Sequence, residues 1–74
     1  MDGPNPERVA LVEALGTLPG TLRRAMVLRY LADLTVAEIA HREGVPEGTV
    51  KSWLHRGRTA LAARLQPNEE ANHD

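Results

Sequence analysis

The stretch TVAEIAHREGVPEGTV, residues 35–50, constrains the fold of this chain more than any other. It opens with Thr35-x-x-Glu38, a capping box in which the two side chains satisfy each other's backbone N–H groups and start a helix. Val36, Ile39 and Ala40 give that helix one apolar face. Gly44 ends it, because glycine takes the left-handed conformation that a helix C-terminus and a sharp turn demand. Val45 follows in the turn, and Pro46 suits the opening position of a further helix. The spacing Ile39-Ala40, three residues, Gly44-Val45, four residues, Val50 is that of two helices crossing at a tight turn. Ala40 is small enough for the close crossing, and Val45 and Val50 fill the angle between the helices.

The helix that begins at Pro46 runs to about Leu65, with Pro67 placed to stop it. Each helical residue advances by about 100°. With Val50 at zero, Leu54, Gly57, Leu61 and Leu65 fall within about 60° of it and form a buried stripe. Lys51, Ser52, His55, Arg56, Arg58 and Thr59 fall between about 80° and 240° on the same construction, as one polar face without acids. The chain as a whole has a formal net charge of -1, yet this face carries Lys51, Arg56 and Arg58 and no acid. A face built only for solubility would mix Glu with Lys. An acid-free cationic face is suited to a DNA major groove, with cations for phosphates and short polar groups for base edges. Gly48 and Thr49 lie at the helix start, where free N–H groups favour a phosphate.

Two more helices precede this pair. The first is capped by Asn5, has Pro6 in its first position, and places Leu11, Leu15 and Leu18 at helical spacing, with Gly16 weakening its last turn. The second starts at Pro19 and carries Leu22, Ala25, Met26, Leu28 and Leu31 as its apolar positions. The expected fold is all-α: a small four-helix domain over residues 5–66 with a C-terminal helix-turn-helix. Residues 1–4 and 67–74 are expected to be disordered tails, the latter a solvated acidic end. At 74 residues with no cysteine and no phenylalanine, the chain must rely on an aliphatic core without disulfides.

Other chemistries find little support. His41 and His55 are not spaced as metal ligands and no cysteine or acid pair joins them, so no metal and no cofactor is expected. Scattered Asp and Glu offer no activated nucleophile or acid–base pair, so no enzyme is expected. No apolar run approaches a membrane span, and residues 1–11 do not read as a secretory signal; the expected location is the cytoplasm.

With these motifs in place, "LPGTLRRAMVLRYLADLTVAEIAHREGVPEGTVKSWLHRGRTALAARL" resembles region 4 of the sigma-70 family, most nearly the extracytoplasmic-function type of bacterial sigma factor. The carrying pieces are "LP", "LRYL", "EIA", "GV", "GTVKS" and "HRGR..L", over roughly residues 9–65. The resemblance implies sequence-specific binding to the promoter -35 element through the last helix. It also implies docking on the β flap of RNA polymerase, and in many members capture by an anti-sigma factor. It implies a bacterial, nucleoid-associated protein that acts as a monomer. It carries DNA-contacting roles onto Lys51, Ser52, His55, Arg56 and Arg58, a backbone-contacting role onto Arg29, and a phosphate-facing position onto Thr49. Arg23 and Arg24 are read as solvated or paired with Glu.

Three departures stand out. Trp53 takes a place where many members have Arg, and by the helical construction it sits half-buried at the edge of the core. Asp33 stands where Gly is common. Region 2 has no counterpart in these residues, so the expectation is an excised domain or a natural stand-alone relative rather than a complete sigma factor. Two further functions compete: a protein-interaction module bound by the polymerase flap or an anti-sigma factor with DNA binding secondary, and the effector domain of a LuxR-type regulator. The last also reads "EIA…TVK", but "SWLHRGRTAL" fits the sigma pattern better.

Overall fold

A computed structural model of the protein describes residues 6–65. Four helices follow one another: α1 (Pro6–Leu15), α2 (Gly20–Tyr30), α3 (Val36–Glu43) and α4 (Glu47–Leu65). The Asn5 cap, the Pro67 stop, the side chain of Leu65 and the expected tails lie outside the described residues.

The ends of the helices follow from local chemistry. The Thr35 hydroxyl accepts from the Glu38 N–H at 3.0 Å, and the Thr35 N–H donates to Glu38 Oε1 at 2.7 Å, so the capping box is complete. Gly44 is left-handed at φ 70. Its N–H donates to the Ala40 and His41 carbonyls, and the Val45 N–H donates to the Ala40 carbonyl at 3.0 Å, which satisfies orphan acceptors of α3. The Pro46 carbonyl then accepts from Thr49 and Val50 N–H, the first bonds of α4. The second helix starts one residue later than expected. Pro19 is its cap, at φ -55 and ψ 149, and contributes its carbonyl to the Arg23 N–H.

Asp33 is the only non-glycine residue with positive φ (60) among those described. The loop closing α2 needs a left-handed residue there, which is why glycine suits the position and why Asp, tolerant of this conformation, can replace it. Arg23 is exposed, in keeping with a solvated side chain. Its guanidinium also donates to the Gly16 and Leu18 carbonyls, at 3.4 Å each, and so braces the turn between α1 and α2. Arg24 does pair with an acid, Glu43 of α3, at 3.7 Å.

The core is aliphatic. Met26, Ile39 and Val50 are its most deeply buried large side chains, joined by Ala14, Leu15, Leu18, Ala25, Leu28, Ala40, Leu54 and Leu61. Each large aliphatic buried here stabilises the fold by about 1.5–3 kcal/mol over leaving it in water. Helix α4 packs against all three others, most extensively against α2. Its stripe of Val50, Leu54, Gly57 and Leu61 is buried. Trp53 is half-buried and packs against the core, as the sequence led us to expect. Seating α4 by this stripe leaves its opposite face in solvent.

Candidate nucleic-acid interface

Lys51, Ser52, His55, Arg56, Arg58 and Thr59 are all exposed. The interleaved Val50, Leu54, Gly57 and Leu61 are buried, so the helical period itself separates the two faces. Within the exposed face, Arg56 Nη2 donates to Ser52 Oγ, one turn away, at 3.4 Å. Thr49 is half-buried in the first turn, with a smaller free surface than the other candidates. A Cβ on Gly48 would meet nothing within 4 Å, so no internal packing requires glycine there. Over its 19 residues α4 is about 28 Å long, and a helix of ordinary diameter enters a major groove about 12 Å wide.

Two further candidate cations are engaged with Tyr30 and the loop after α2. Arg58 Nη1 donates to the Tyr30 hydroxyl at 3.1 Å, across 28 residues of sequence. Arg29 is half-buried on α2; its Nη1 donates to the Leu34 carbonyl at 3.4 Å. The Arg29 guanidinium also lies over the Tyr30 ring, 5.6 Å from its centroid, within cation–π range. Structure therefore groups Lys51, Ser52, His55 and Arg56 on the open face of α4. Arg58 and Arg29 meet at Tyr30, at the junction of α4 with α2. Tyr30 was not legible as part of a site: it lies on another helix, and no local spacing signals a pairing so distant in the chain.

A second surface lies between α1, α2 and α4. Leu11, Leu15, Met26, Tyr30, Arg58 and Leu61 line an apolar pocket of about 250 Å³. Val9, Val12 and Tyr30 are exposed, at 43%, 50% and 45%. Among the described residues no cluster of three or more His, Cys, Asp or Glu could hold a metal ion, and no helix is long and apolar enough to cross a membrane.

Four helices, a capped turn at Gly44 and a last helix seated by its apolar stripe with a cationic face exposed define a helix-turn-helix domain. The family model described as "Sigma-70, region 4" matches residues 8–61. The chain belongs to this family. Among curated proteins, it is 43% identical over 49 residues to the ECF RNA polymerase sigma factor SigW of Bacillus subtilis (strain 168), covering 66% of this chain and 26% of that protein. It is 39% identical over 71 residues to the ECF RNA polymerase sigma-E factor of Escherichia coli (strain K12), covering 85% of this chain and 37% of that protein. The chain thus spans between about a quarter and somewhat over a third of the length of these relatives.

Proposed function

We propose that this chain binds double-stranded promoter DNA at the -35 element in bacterial transcription initiation, with α4 in the major groove, and docks on RNA polymerase. The observation that carries the reading is the exposed, acid-free face formed by Lys51, Ser52, His55, Arg56, Arg58 and Thr59 opposite the buried Val50, Leu54, Gly57 and Leu61. Lys51 and Arg56 would meet phosphates, and Ser52 and His55 would reach base edges. Thr49 would face a phosphate from the helix start. The domain that does this spans residues 5–66, acts as a monomer in the bacterial cytoplasm, and works by binding rather than catalysis. Membership of the sigma-70 region 4 family supports the same reading.

The apolar pocket and the exposed Val9 and Val12 support a second, protein-facing surface. We place the β flap of RNA polymerase there, with an anti-sigma factor as a competing occupant. The pocket adjoins the Arg58 edge of the cationic face, because Arg58 and Tyr30 line it, while Ser52, His55 and Arg56 of α4 are not among its lining residues.

Fluorescence anisotropy with randomised duplexes, repeated with purified flap domain, tests both parts. Selection of a preferred duplex by the chain alone, and tighter binding with the flap present, is the expected result. Flap binding without any duplex preference would favour the interaction-module reading.

A further inference from the structure

We propose that Tyr30 is a positioning residue for DNA-backbone contact, holding Arg58 and Arg29 as phosphate-facing cations along one edge of the interface. The inference rests on the DNA-binding reading above. Three contacts carry it: the Arg58–Tyr30 hydrogen bond at 3.1 Å, the Arg29 guanidinium 5.6 Å from the Tyr30 ring centroid, and the Arg29 bond to the Leu34 carbonyl.

Helical geometry places the edge. Arg58 and Lys51 are seven residues apart, which leaves them within about 20° of each other and about 10 Å apart along α4. His55 and Thr59 lie nearer the middle of the face on the same construction. The row Lys51, Arg58, Arg29 therefore runs along one side of α4 and on to α2. Cations on the flank of a groove-binding helix meet phosphate, whereas groups at its centre meet bases.

Tyr30 brings two like charges to one side chain. Its ring face attracts one guanidinium and its hydroxyl accepts from the other. Among the described residues neither arginine forms an ion pair with a carboxylate, whereas Arg24 and Arg42 both reach Glu43. Two neighbouring guanidiniums without a carboxylate suit a bound anion. Arginines already held by a rigid phenol lose less rotamer freedom when a phosphate arrives. The cluster thus adds affinity without reading sequence.

The test uses the 74-residue chain, a duplex that the wild type selects from a random pool, and a scrambled duplex. Tyr30→Phe keeps the ring and removes the hydroxyl acceptor. It is expected to weaken binding about fivefold, equally on both duplexes, with an unchanged circular dichroism melt. Arg58→Ala should flatten the log–log salt slope by about 0.9. Tyr30→Phe should add nothing further in the Arg58→Ala background. Wild-type affinity in Tyr30→Phe, additive effects in the double variant, or a loss confined to the selected duplex would each overturn the assignment. Binding that depends on Lys51 and Arg56 but not on Tyr30 overturns this inference alone. Absence of saturable binding by the wild type overturns the DNA reading with it.

Discussion

A Cβ placed on Gly57 would lie 2.7 Å from Met26 Cγ and 2.8 Å from Met26 Sδ. Helix α4 therefore crosses α2 with backbone against side chain. Met26 is among the most deeply buried residues of the protein, 2% exposed. This contact sets how closely α4 seats on α2, and so how its exposed face is presented.

Gly57→Ala is expected to destabilise the domain by up to about 2 kcal/mol. Alanine gains about 1 kcal/mol of helix propensity, but overpacking a filled core costs about 1–3 kcal/mol. Here the crowded atoms sit mid-chain in a buried side chain, so the crowding outweighs the gain in propensity. In a domain this small, 1 kcal/mol moves the melting temperature by about 4–8 °C. Shortening Met26 to Ala in the Gly57→Ala background should give less than the sum of the single losses. A thermal melt of Gly57→Ala at or above wild type would contradict the close crossing.

The two left-handed positions should answer oppositely to glycine and alanine. Nothing lies within 4 Å of a Cβ on Gly44, so Gly44→Ala is penalised by its backbone torsion at φ 70 alone, about 1–2 kcal/mol. Asp33 already bears part of that strain at φ 60. Asp33→Gly should leave stability equal or higher and Asp33→Ala should lower it. Urea titrations that rank Asp33→Ala above Asp33→Gly would refute the assignment.

Thr35→Ala removes the hydroxyl that accepts from the Glu38 N–H. The expected loss is about 1 kcal/mol. Glu38→Gln retains a side-chain acceptor for the Thr35 N–H and should cost less. Equal denaturation midpoints for Thr35→Ala and wild type would show that the box contributes nothing.

Lys51→Ala and Arg56→Ala should weaken DNA binding while leaving the melt in place, because both side chains are exposed. Each lost phosphate contact should make the salt dependence shallower by about 0.9 in log–log slope. Gel-shift titrations over a salt series measure both quantities. Undiminished binding by the double variant would remove the proposed role of α4.

Much of this protein was determined by its sequence alone, wherever the deciding interactions span four or five residues. The Thr35–Glu38 box, the turn at Gly44 and the alternation of buried Val50, Leu54 and Leu61 with exposed Lys51, His55 and Arg56 are of that kind. Helical periodicity and local capping chemistry act within a few residues, so reading them requires no knowledge of neighbours. Tertiary structure alone decided which cations stay free. Arg23 binds two carbonyls of the turn between α1 and α2, Arg58 reaches Tyr30 across 28 residues, and Gly57 meets Met26 on another helix. A flexible arginine has many rotamers and several acceptors of similar worth. Only the packed arrangement of α1, α2 and α4 selects among them.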